Sequence, residues 1–193
     1  MANPDSAFGF RPVNRDGSPY NGATLRCVFA AADATAAFIG DPVLLDGSSS
    51  EGYAGVTQCA AGEQVYGVVT SFEANPDGLS DQYRKASTKR FCQVSPVTQY
   101  NLWEVQSDDD TTAITEAGVG LNAGYEVAAG STTYGISGFE LDSSDLATTS
   151  TLDLQIVGLV DRADNLLAGT GSTNKNAIVR FLDPQMVAIS TGL

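Results

Sequence analysis

The feature that most constrains this chain is a missing one. No stretch carries an apolar stripe at three- and four-residue spacing, closed by caps, that an amphipathic helix needs. The sequence instead breaks into short β-forming runs separated by turn chemistry. Leu25, Cys27 and Phe29 alternate with Thr24, Arg26 and Val28, which predicts a half-buried strand over 24–30. Residues 42–45 form an apolar run that the Asp46-Gly47 pair should close as a turn, with Ser48, Ser49 and Ser50 extending the loop. Further strands are expected over 53–59, 63–72, 91–94, 102–106, 152–160 and 177–182. Asn75-Pro76-Asp77-Gly78 reads as a turn, 80–90 as a polar loop or a single helical turn, and the glycine-rich stretch 118–138 as loops and short edge strands. About eight to ten short strands with turns between them is the pattern of an antiparallel β-sandwich or barrel. The fold class expected is all-β.

Residues 1–22 differ from the rest. Pro4, Pro12 and Pro19 punctuate them, yet they carry Phe8, Phe10, Arg11 and Arg15. This stretch reads as an extended N-terminal arm that packs on its own domain or on a neighbouring subunit, followed by a single β-rich domain over 23–193. A disordered tail is the alternative.

Six residues echo one another. Gln64-Val65-Tyr66-Gly67-Val68-Val69 matches Gln155-Ile156-Val157-Gly158-Leu159-Val160 in type at nearly every position. A glycine inside a strand marks a bulge or a close approach of another backbone.

Chemistry is constrained by what is absent. The chain has no histidine, which removes Ser-His-Asp and Cys-His nucleophile activation and every His-containing metal site. Cys27, Cys59 and Cys92 lie far apart without C-x-x-C spacing. Buried, apolar-behaving thiols in strands are expected, with one disulfide and one free thiol as the alternative. The Asp108-Asp109-Asp110 run lacks the spaced ligands of a calcium loop and reads as solvated. Asp142, Asp145 and Asp153 read the same way. Residues 169–175 fail phosphate-loop spacing, because no glycine directly precedes Lys175. Trp103 beside Glu104 reads as a core residue rather than a sugar platform. A carboxylate-based hydrolase remains formally open, but no acidic pair is singled out. No cofactor and no metal are expected.

Ten basic residues face twenty-three acidic ones, a net charge of −13. Such a surface repels nucleic acid and anionic membranes, so neither is expected as a partner. The polar start has no apolar core of a leader, and no run reaches membrane-span length. Synthesis in a cytoplasm is the expectation. Against that acidic background, Arg84, Lys85, Lys89 and Arg90 reverse the sign locally. Together with Phe8, Phe10, Arg11 and Arg15 they are the candidate contact residues of a docking face. An ordinary solvated loop with acidic partners is the alternative.

Four segments carry a resemblance to a known family. They are Ala2-Asn3-Pro4-Asp5-Ser6-Ala7-Phe8-Gly9-Phe10-Arg11-Pro12-Val13, Gly40-Asp41-Pro42-Val43, Phe139-Glu140-Leu141-Asp142-Ser143-Ser144 and Val157-Gly158-Leu159-Val160-Asp161-Arg162-Ala163-Asp164-Asn165. In this order they resemble the head decoration or cement proteins of tailed bacteriophages, many of them marine. The resemblance implies a β-rich virion protein on the capsid exterior, bound to the major capsid protein and commonly trimeric. It implies no catalytic residues. A head–tail connector or a tail-associated β domain is the alternative virion role.

Overall fold

The computed structural model of the chain describes residues 3–14, 22, 24–75, 78–109, 113–168 and 173–186. Within them lie twelve strands: β1 (Arg11–Val13), β2 (Leu25–Phe29), β3 (Pro42–Ser50), β4 (Tyr53–Gln58), β5 (Gly67–Phe72), β6 (Arg90–Pro96), β7 (Leu102–Gln106), β8 (Asn122–Ala123), β9 (Tyr125–Glu126), β10 (Glu140–Leu141), β11 (Leu154–Leu159) and β12 (Asn176–Phe181). The only helix among the described residues is a 3₁₀ turn at Glu116–Gly118. The protein is all-β, as its turn-punctuated sequence predicts.

Sandwich and barrel both occur. Strands β2, β4, β3, β5 and β6 close into a barrel in that order, while β1, β7, β12, β11 and β8 form a five-stranded sheet. Strands β9 and β10 make a separate two-stranded ribbon. All strand pairs are antiparallel except β2–β4, the barrel seam, where Val28 meets Gly55 in parallel.

Consecutive apolar residues explain how the two sheets stack. In β5, Val69 points into the barrel with Cys27, Phe29, Val43, Val56, Cys92 and Val94. Its neighbour Val68 points the other way, into a second core shared with the five-stranded sheet. Val43 and Leu44 of β3 divide in the same manner. A strand buried on both faces needs apolar residues at both parities, and that run is what the sequence shows. The sheet contributes Trp103, Val105, Leu154, Ile156, Val179 and Phe181 to the shared core.

Three readings of local sequence are corrected. Asp46-Gly47 does not end a strand. β3 continues to Ser50, and the register slips between Leu45 and Ser49 so that three residues bulge opposite Gly55. Gly47 takes φ +75° there, and the Asp46 carboxylate accepts the Ser48 N–H at 2.8 Å. The turn itself is Glu51-Gly52, with φ of 57° and 82°. Two positive φ values between the paired residues Ser50 and Tyr53 are the geometry a two-residue hairpin requires. Next, the strand expected over 63–72 begins only at Gly67, because Val65 turns aside to bridge Pro184. Finally, the strand expected to be half-buried over 24–30 buries Val28 as well as Cys27 and Phe29 and leaves Leu25 exposed.

The described part of the arm is built into its own domain. Strand β1 pairs with β7, Arg11 opposite Glu104 and Val13 opposite Leu102. Phe10 is 2% exposed and packs on Phe181 and Tyr125, with ring centroids 4.9 and 5.7 Å away. The Asn3 amide donates to the Leu166 and Thr173 carbonyls at 3.1 and 2.8 Å. Arg15 and Pro19 lie outside the described residues.

The two echoed segments sit in different sheets, and their glycines do different things. At Gly67 a Cβ would come within 2.3 Å of the Val94 side chain and 2.7 Å of the Ser95 carbonyl, a close approach. Gly158 has open space around it and lies where β11 slips register against β12, a bulge. All three cysteines are buried and free.

Candidate functional site

The basic cluster at 84–90 does not form a four-residue exposed patch. Arg84 is fully buried. Its guanidinium donates to the carbonyls of Thr88 at 2.8 Å, Ala30 at 2.7 Å, Asp33 at 2.8 Å and Thr35. Phe29 lies beneath it at 5.4 Å. Burial lowers its pKa, and the Asp33 carboxylate 3.6 Å away opposes that shift. Arg90 is 8% exposed and donates to the carbonyls of Glu73 at 3.0 Å, Asp81 at 2.7 Å and Tyr83. Both arginines gather loop carbonyls that no strand partner satisfies, work suited to a planar five-donor fork. The lysines point outward, each to a carboxylate: Lys85 to Asp81 at 2.9 Å and Lys89 to Glu51 at 2.7 Å.

The arm residues divide as well. Phe10 is core, and Arg11 is exposed with its guanidinium 4.4 Å above the Phe8 ring. Of the eight expected contact residues, Phe8, Arg11, Lys85 and Lys89 therefore reach the surface. Phe10, Arg84 and Arg90 correct the docking-face reading, because they are committed to this chain's own interior. The local excess of positive charge along 84–90 gives no direction to the side chains. The clue available in the sequence was chemical, since arginine can satisfy several buried carbonyls where lysine cannot.

The acidic candidates are loop fasteners. Asp108 accepts from the Ser143 N–H and hydroxyl at 3.0 and 2.6 Å. Asp109 accepts from the N–H groups of Ile114 and Asn174 at 3.1 and 2.6 Å. Asp142 caps Ser144, Asp145 takes the Gly124 N–H and Asp153 the Gly62 N–H. Asp110 lies outside the described residues. Among the described residues no group of three or more Cys, Asp or Glu side chains is arranged to hold a metal. Trp103 is a fully buried core residue set edge-on to Phe181. Lys175 is buried too, its ammonium donating to the Ile114 carbonyl.

Two clefts test the hydrolase alternative. One, of about 500 Å³ between the arm and the barrel, is lined by Phe8, Arg11, Ile39, Val69, Thr70 and Ser95 among others, with no carboxylate in its lining. The other, of about 430 Å³, holds Glu51 and Glu73. Glu73 takes a two-pronged ion pair from Arg26 at 2.5 and 2.8 Å, which holds its carboxyl below the usual range. Arg26 is itself sandwiched by Tyr53 and Phe91. A general acid needs a raised pKa, and Glu73 is shifted the opposite way.

One carboxyl is raised strongly. Asp41 is fully buried, and burial pushes it up to about 6 against the opposing hydrogen bonds of Ser137, the Phe38 N–H and Gln58. It stands at a crossing of four segments. The Phe10 N–H donates to the Gly40 carbonyl at 2.9 Å, and the Val69 N–H to the Asp41 carbonyl at 2.9 Å. Gln58 reaches the carboxylate at 2.7 Å, and a Cβ on Gly9 would touch Ser137 at 2.5 Å. Sequence reasoning passed over Asp41, although the dipeptide Gly40-Asp41 belongs to a segment it had marked.

No protein-family model matches the chain, and no curated protein or solved structure matches it.

Proposed function

We propose that this chain is a virion structural protein: a decoration or cement protein that binds the outer surface of the head of a tailed bacteriophage, through the major capsid protein, and acts as a homotrimer. The supporting observation is where the four resemblance-bearing segments lie. They converge on internal joints. Phe10 of the first segment bonds Gly40 of the second. Through Tyr125 it reaches Phe139 of the third, with Tyr125 and Phe139 5.7 Å apart. Arg162 of the fourth grips Glu104 at 2.7 and 3.0 Å, and Glu104 lies opposite Arg11 across β1 and β7. These contacts tie the segments into one scaffold; the first and second also share the lining of the cleft beside the arm, through Phe8, Arg11 and Gly40.

The mechanism is mechanical. A rigid β domain bridging neighbouring capsomers adds contact area at many repeated sites, each burying on the order of 800 Å² per partner. The acidic exterior keeps free copies apart in solution. Its test is reconstitution. Purified chain is mixed with heads stripped of it, and binding and head disruption temperature are measured. Saturable binding that raises the disruption temperature is expected. Heads that neither bind the chain nor gain stability would overturn the proposal.

A further inference from the structure

The barrel interior holds a feature that the proposed function does not use. Cys27 of β2 and Cys92 of β6 are direct partners in the antiparallel register. Both belong to the barrel core, so both side chains leave the same face of the pair. Directly opposed residues of an antiparallel pair have Cα atoms about 4.5–5.5 Å apart, and a disulfide spans Cα atoms about 4.4–6.8 Å apart. The third thiol, Cys59, lies in the other core, packed with the sheet.

We propose that Cys27 and Cys92 are a cross-strand dithiol that a low-molecular-weight disulfide oxidises to an intramolecular disulfide, tying β2 to β6 inside the barrel. One thiolate attacks a sulfur of the small disulfide, forming a mixed disulfide and releasing a small thiolate. The second cysteine, once deprotonated, attacks the protein sulfur and releases the other small thiolate. The protein pair loses two electrons, which the small disulfide gains, and the two thiol protons end on the two released thiols.

The position of β2 gives the bond its consequence. β6 holds β2 along its whole length, Leu25 to Phe29, while on the other side only Val28 meets β4. β6 is thus the main tie between β2 and the rest of the barrel, and β2 leaves the barrel only by parting from β6. A bond between Cys27 and Cys92 blocks that parting. Both thiols are 1% exposed or less, and burial pushes the Cys27 thiol up to about 11 and raises that of Cys92 as well. Oxidation of the folded chain should thus be slow, because the thiolate is the attacking species, and it should accelerate with pH.

The full chain is incubated with oxidised glutathione, both as folded protein and during refolding from urea in a glutathione redox buffer. It is then denatured, alkylated with iodoacetamide and weighed intact and as peptides. Alkylated cysteines should fall from three to one per chain, with Cys59 the alkylated residue and one peptide pair joined through Cys27 and Cys92. Cys59→Ala should form the same bond. Three alkylated cysteines in both arms, a stable glutathione adduct, or a bond to Cys59 would overturn the proposal.

Discussion

Arg84 and Lys85 are neighbours in sequence and opposites in energetics. Removing the Arg84 side chain leaves the Thr35 and Thr88 carbonyls without that donor and takes a second donor from the Ala30 and Asp33 carbonyls, which keep the Asp33 and Ser87 N–H groups. Arg84→Ala is expected to lose about 3–5 kcal/mol of stability in urea unfolding. Arg84→Lys should recover little of it, since an ammonium cannot span the same carbonyls. Lys85→Ala should leave the urea midpoint where it is, because Lys85 is half exposed and its ion pair with Asp81 faces solvent. Equal losses at the two positions would mean that Arg84 is not the staple described. Asp41 supplies a pH dependence. Its folded-state pKa of about 6 lies above its ordinary value of 3.8, so the folded chain holds that proton more tightly than the unfolded one. Its contribution is full below about pH 4 and is lost as the pH rises through 6, roughly 3 kcal/mol in all. Asp41→Asn should flatten the decline in Tm between pH 4 and 6 relative to the natural chain. Parallel profiles would contradict the assignment.

At the scale of elements, the sequence was most legible where an unbroken run of β-forming residues lies between turns. The run over 24–30 located β2, and Leu102–Gln106 was found to the residue. It was least legible where turn chemistry serves another purpose. Asp46-Gly47 has turn composition but forms a bulge, made possible because Gly55 opposite has no side chain; a Cβ there would fall 1.9 Å from the Ser48 carbonyl. That partner is eight positions away, and only the paired strands reveal it. The arm was only partly legible for a related reason. Proline and glycine mark it as irregular, yet Phe10 enters the core through contacts with residues more than a hundred positions distant. Phe10→Ala should therefore cost about 3–5 kcal/mol in stability, measured by urea unfolding of the isolated chain. A variant as stable as the natural chain would return Phe10 to the role of an external contact. The echoed glycines offer a second contrast. Gly67→Ala should be destabilising by about 1–3 kcal/mol through overpacking against Val94 and Ser95. Gly158→Ala, in open space and without a positive φ, should change stability by no more than about 0.5–1 kcal/mol, and toward greater stability. The sequence signal was the same at both positions, and the outcomes diverge because only one faces a neighbouring strand.

Over the whole molecule, two stacked β systems share one core, and the edges of the open sheet are short. β1 has three residues with Pro12 at its centre, and β8 has two. Short, proline-bearing edges discourage strand-to-strand addition, so a partner would meet side chains rather than a bare backbone ladder. The surface candidates that remain, Phe8, Arg11, Lys85 and Lys89, occupy two places: the arm and the loop before β6. Fold class was readable from the sequence because local periodicity and turns determine it. Strand order, barrel closure through a parallel seam and the inward course of Arg84 and Arg90 were not, because each depends on pairing between distant segments. The proposed role belongs to this scale too, and the direct measurement is the copy number and position of the chain in intact, purified particles, by quantitative mass spectrometry and particle reconstruction. The account predicts on the order of hundreds of copies on the head exterior. A ring of about six to twelve copies at a head–tail junction, or no stoichiometric copies at all, would contradict it.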